Sequence, residues 1–111
     1  MPDTRTHRGP HPEDLELFSP AAQAVLREAA ADLAWLLGRG YAGPGSLKLV
    51  GDRYGLVARQ RIAVARSACS DVEAEQRRRH QVGLERLPEH TLLLDGYNVL
   101  TTIEAAMAGG V

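Results

Sequence analysis

Apolar residues recur at three- and four-residue steps through Ala22, Val25, Leu26, Ala29, Leu33, Leu36 and Leu37, while Arg27, Glu28 and Asp32 fall outside that stripe. This is the period of a helix with one broad buried face. Ser19 followed by Pro20 supplies a capping hydroxyl and a proline at the first helical position, and Gly38 and Gly40 end the pattern. Before it, Pro12 to Phe18 suits a short turn of helix. After it, Tyr41 to Gly45 is a loop by composition, and Ser46 is placed to cap a shorter helix from Leu47 toward Tyr54. Gly55 interrupts. A third helix from about Val57 would carry Ala58, Ile62, Ala65 and Cys69 on one stripe, with Val64 and Ala68 beside it. Ser70 and Asp71 then cap a polar helix from Val72 to about Val82. At Thr91 the helical period stops, and the apolar run Thr91 to Leu94 ends in Asp95, Gly96, Tyr97 and Asn98. That order predicts a buried strand with Asp95 at its carboxyl end and a last helix from Val99 to Met107, capped by Asn98.

The expected fold is therefore mainly α: four or five helices with one short C-terminal strand that begins an incomplete α/β unit. The expected division is a flexible lead and short turn over 1–18, a helical domain over 19–87, and the start of a truncated α/β unit over 88–111. A strand buried on both faces needs hydrogen-bonding neighbours, because unpaired amides and carbonyls cost free energy away from water. No second strand is evident, so either a second copy pairs with it in a homodimer or the rest of the sheet lies in sequence beyond Val111. An apolar content of 44% and a charged content of 24% are ordinary for a globular chain. The apolar runs fall far short of the roughly 20 residues that span a bilayer. No apolar region follows the charged N-terminus, so no membrane role and a cytoplasmic location are expected. Cys69 is the single cysteine, which excludes an internal disulfide and suits a plain core thiol.

The net charge of −1 conceals an asymmetry, since Lys48 through Arg86 holds nine basic and five acidic residues and the remainder four and nine. Arginine dominates the basic set, and its planar fork suits bidentate contact with phosphate. Arg53, Arg59, Arg61 and Arg66 are the candidate contacts to a nucleic-acid backbone, with RNA or DNA as the partner. Two bland accounts stay open. Asp52 and Asp71 could pair with these arginines at the helix junctions, and Glu73 with Arg77 and Glu75 with Arg79 have the favourable i, i+4 order of a self-paired, solvated helix face. Two other motifs carry little: Gly9 and Pro10 separate His7 from His11 and prevent a helical metal pair, and Lys48 lacks the preceding glycine of a phosphate-binding loop.

Leu47 to Ala68, a short helix, a Gly55 turn and an arginine-bearing helix, resembles a helix-turn-helix. Aligning Gly55 with the turn glycine puts Leu56 where an apolar residue belongs, but puts Arg61 where the second helix normally buries an aliphatic, with Ile62 one residue late. Over a longer span, Leu49-Val-Gly-Asp-Arg-Tyr54, Arg59-Gln-Arg61, Arg66 to Asp71 and Asp95-Gly-Tyr-Asn98 together are similar to the uncharacterised family called domain of unknown function 434. That resemblance implies a longer protein and no assigned reaction. Within it, Leu92 to Leu100 resembles the opening of NYN domains, a branch of the PIN-like nucleases, in which such a strand carries the first metal-binding aspartate. The resemblance implies Asp95 as first ligand of a magnesium or manganese ion in the longer protein and Asn98 as its neighbour. It implies an RNA nuclease that is inactive, and holds no cofactor, at the present length. The competing expectation is a non-enzymatic nucleic-acid-binding or protein-interaction module, dimeric through Trp35 and the unpaired strand, with Asp95 as a turn residue capping the following helix.

Overall fold

A computed structural model describes residues 11–108 of the chain. The described residues fall into two compact units, one of residues 15–82 and one of residues 11–14 with 83–108. Within the described residues all regular structure is helical: α1 (Asp14–Leu17), α2 (Pro20–Gly38), α3 (Gly43–Tyr54), α4 (Ala58–Ser67), α5 (Asp71–His80), a 3-10 helix (Leu84–Glu89) and α6 (Gly96–Ala108). None of these helices is long and apolar enough to cross a membrane.

In the unit of residues 15–82, α2 is the organising element and packs against α3, α4 and α5. Ser19 starts it as its composition demands, the Oγ accepting the Ala22 amide at 3.3 Å while Pro20 occupies the first turn. Its buried stripe delivers Ala29 and Leu33 to a core completed by Val50 of α3, Leu56 of the turn and Val64 of α4. Leu26, Ala30, Leu36, Leu37, Leu47, Tyr54 and Ala68 close around that core. Ala29, fully buried, lets helices approach closely at the centre.

Three local expectations need correction. The second helix begins at Gly43 rather than after Ser46: the Ala42 carbonyl accepts the Ser46 amide at 3.0 Å, and Pro44 sits in the first turn, where its missing N–H is no loss. Ser46 is consequently buried within the helix, not at its cap. Cys69 lies beyond the end of α4, which stops at Ser67, and Ala68 takes the core position instead. In α5 the Ser70 cap forms, Oγ to the Glu73 amide at 3.2 Å. Glu75 pairs with Arg79 at 3.4 Å and with Arg78 at 3.2 Å, whereas Glu73 and Arg77 make no ion pair among the described residues.

In the other unit the expected C-terminal strand is absent, and with it the incomplete α/β unit. Residues 91–95 have no regular structure and are exposed throughout, Leu93 by 93%. The physical reason is the missing ladder: no stretch among the described residues offers a neighbouring strand, and an unpaired strand leaves its amides and carbonyls to water. Homodimerisation through an unpaired strand loses its basis for the same reason. After this segment α6 carries Tyr97, Leu100, Ile103 and Met107 largely exposed.

Candidate nucleic-acid interface

The pair α3 and α4 is joined by three residues, Gly55, Leu56 and Val57. Gly55 adopts φ 62° and ψ 34°, the left-handed region that a residue without Cβ enters freely. The Leu56 amide donates to the Gly51 carbonyl at 2.9 Å and the Gly55 amide to Asp52 at 3.4 Å. This is the six-to-one and five-to-two closure of a Schellman motif, which satisfies carbonyls that the helix end would otherwise orphan. Leu56, the residue after the glycine, turns into the core beside Val50, so the turn is anchored apolarly as well. Val57 opens α4 in extended conformation, its amide bound by Gln60 Oε1 at 3.2 Å, and Gln60 Nε2 donates to the Leu17 carbonyl at 2.9 Å.

Arg61 stands where a helix-turn-helix buries an aliphatic side chain, and the structure accommodates it without a shift of register. Its side chain is 28% exposed and lies against Gly51, where a methyl group would collide with the guanidinium. Nε donates to the Leu56 carbonyl at 2.8 Å and Nη2 to Asp52 Oδ1 at 3.0 Å. The stem fills the junction while the charged end ties the turn to α3. Arg61 therefore holds the junction of α3 and α4. The signal for this in the sequence was Gly51, four residues before the turn glycine.

On α4, a rotation of about 100° per residue places Ala58, Arg59, Ile62, Ala65 and Arg66 within an arc of roughly 120° opposite buried Val64. Arg59 is half-buried, whereas Ala58, Ile62, Ala65 and Arg66 are exposed. Arg66 pairs with no carboxylate among the described residues. The fourth candidate, Arg53, belongs elsewhere: on α3 it lies 3.8 Å from Asp32 and 5.4 Å over the Tyr54 ring. Tyr54 donates its hydroxyl to Asp32 at 2.6 Å, and that bond raises the phenol above its ordinary pKa, so it remains a donor. Four sequence candidates thus resolve into two on one face of α4, of which Arg66 is exposed and Arg59 half-buried, one at the turn and one beside α2.

Asp95 and Asn98 do come together, but as a helix start. Asp95 Oδ1 accepts the Asn98 amide at 3.3 Å and Oδ2 accepts Asn98 Nδ2 at 2.8 Å, at the positive end of α6. Asp95, not Asn98, is the capping residue. No group of three or more His, Cys, Asp or Glu side chains is gathered among the described residues. A single exposed carboxylate whose two oxygens both accept from Asn98 offers magnesium or manganese at most one of the several oxygen ligands it takes.

The charge cluster at the turn gives a pH signature. Asp52 accepts from Lys48 Nζ and Arg61 Nη2, each at 3.0 Å, and these bonds, the Lys48 one first, hold its carboxyl below the ordinary 3.8. A depressed folded pKa contributes stability above the unfolded value, and that contribution is lost as pH falls through the folded value. Thermal unfolding followed below about pH 5 should therefore show a midpoint that declines with acid, and Asp52→Asn should flatten that decline. An identical acid dependence in the variant would remove this role from Asp52.

Taken together, residues 15–82 form an all-helical body that contains a helix, a glycine turn and a second helix with Arg66 exposed and Arg59 half-buried on one face. Residues 25–80 match the family model described as "Protein of unknown function (DUF434)", and the chain belongs to that family. It is 31% identical over 84 residues to an uncharacterized protein of Methanocaldococcus jannaschii, a match covering 76% of this chain and 40% of that one. The chain thus spans about 40% of the length of the curated relative it matches. No solved structure matches it.

Proposed function

We propose that the helical body of residues 15–82 is a non-enzymatic nucleic-acid-binding module that presents α4 to duplex DNA. The observation that carries this reading is one face of α4, where small Ala58 and Ala65 and apolar Ile62 lie beside a single stripe that holds exposed Arg66 and half-buried Arg59. Small side chains allow a helix to approach base edges in the major groove, an aliphatic can meet a thymine methyl, and an exposed arginine at the edge of that face, Arg66, can reach a phosphate. The three-residue turn with its left-handed glycine, and the core contact of Leu56, are the features by which helix-turn-helix proteins hold such a helix.

A labelled DNA duplex of mixed sequence, titrated with the chain at several salt concentrations, tests the reading. Binding should weaken steeply with salt, by about 0.9 in logarithmic slope per phosphate contacted. Arg66→Ala should weaken binding at every sequence and reduce that slope by about 1, without altering thermal stability. Binding that is absent, or unaffected by salt and by Arg66→Ala, overturns the proposal. A preference for single-stranded RNA would move the ligand to a different class.

The second reading is the helical module of a PIN-like, metal-dependent RNA nuclease. Its support is the motif Leu92 to Leu100 and a curated relative much longer than this chain. Magnesium- or manganese-dependent cleavage of RNA by a longer protein, lost in Asp95→Asn with the fold retained, would favour it. Equal cleavage by the variant would remove it.

A further inference from the structure

Between α2 and α3 runs an open groove of about 230 Å³ lined by Asp32, Trp35, Leu36, Leu49, Val50 and Arg53. Its walls are apolar and unusually open: Trp35 is 63% and Leu49 64% exposed. The indole already has the Arg39 guanidinium 5.5 Å from its ring centre and is still largely exposed. None of the lining residues comes from α4, so an occupant of the groove leaves the Arg59 and Arg66 face open.

We propose that this groove is where two copies of the chain meet, Trp35 and Leu49 of each closing on the other across a twofold axis. A twofold contact needs a patch that is its own complement, since each surface meets an identical one. This patch meets that condition. Asp32, half-exposed and holding the Tyr54 hydroxyl on Oδ2, and Arg53, 72% exposed, lie side by side at 3.8 Å, and a twofold axis between them sets each against the partner's Arg53 and the partner's Asp32. Trp and Arg at the centre of a patch are the residue types that carry interface energy. A nucleic-acid occupant fits less well, because Asp32 inside an apolar groove repels phosphate. The inference does not depend on the duplex reading, although a dimer would present two α4 helices and so favour paired half-sites.

Sedimentation of the full chain, without nucleic acid, across micromolar to millimolar concentrations reads it directly. Wild type should dimerise, and Leu49→Glu, at an exposed position with little cost to the monomer, should raise the dissociation constant about tenfold or more. The charge pair supplies a second arm. Arg53→Asp alone and Asp32→Arg alone should each be monomeric, the first setting acid against acid and the second base against base. Mixed, the two variants should form a heterodimer, because each contact then joins an acid to a base. Thermal unfolding of each variant shows whether Asp32→Arg keeps its fold despite losing the Tyr54 bond, and Leu49→Glu decides the question if it does not. A wild-type chain that stays monomeric, or a dimer indifferent to Leu49→Glu, overturns the proposal. Either result is independent of whether Arg66→Ala affects DNA.

Discussion

Replacing Leu33 by alanine should lower the unfolding free energy of the helical body by about 3 kcal/mol, within the 2–5 kcal/mol seen when a buried leucine is truncated. Leu33 is 3% exposed at the centre of the core, where α2 meets Val50 of α3, Leu56 of the turn and Val64 of α4. A void there touches three elements at once, and each is held by its own closure: the Ser19 cap, the Schellman turn and the Arg61 tie. Little collapse is available, so the cavity cost stays near its full value. A body of residues 15–82 has a total stability of roughly 3–10 kcal/mol, so the substitution should remove about a third of it or more. Urea unfolding followed by circular dichroism measures it, with half-buried Leu36→Ala as the milder comparison. A loss below about 1 kcal/mol would mean that the core is not centred on Leu33.

Much of this body was legible in the chain. The stripe from Ala22 to Leu37, the caps at Ser19 and Ser70 and the interruption at Gly55 each rest on local chemistry, and each fell within a few residues of its place. The misreadings share a different cause. A short apolar run is ambiguous between helix, strand and loop, and Leu92 to Leu94 lacks the β-branched residues that favour extended pairing. Whether such a run becomes a strand depends on a neighbour, which local sequence does not encode. Ser46 looked like a cap because a serine after a glycine and a proline often is one, yet Pro44 serves equally well inside the first turn. Arg61 looked like a fault in the helix-turn-helix pattern because the pattern treats arginine as charge alone. Its half-buried stem and the absent side chain at Gly51 make it a spacer with a polar end. Arg59 and Arg66 could be assigned to one face by their seven-residue separation, since that periodicity belongs to a single helix. The groove could not, because Trp35 and Leu49 lie on different helices and meet only through the way α2 packs on α3.

Gly55→Val should lower stability by about 2 kcal/mol, the upper end of the cost of a left-handed residue, since a β-branched side chain is the least suited to φ 62°. The space around the position is open, with nothing within 4 Å of an added Cβ. The penalty is therefore conformational rather than a collision, and this separates two explanations of the glycine. Gly55→Asn, whose side chain tolerates the left-handed region, should recover most of the loss, and Gly55→Ala should fall between them. The same series tests the proposed function. If the turn holds α4 in a presenting orientation, duplex affinity should fall in the order Asn, Ala, Val at a temperature where all three remain folded. Equal stability of the three variants would mean that the chain can leave α3 by another path. Loss of stability without loss of affinity would mean that the orientation of α4 is set by the core and not by the turn.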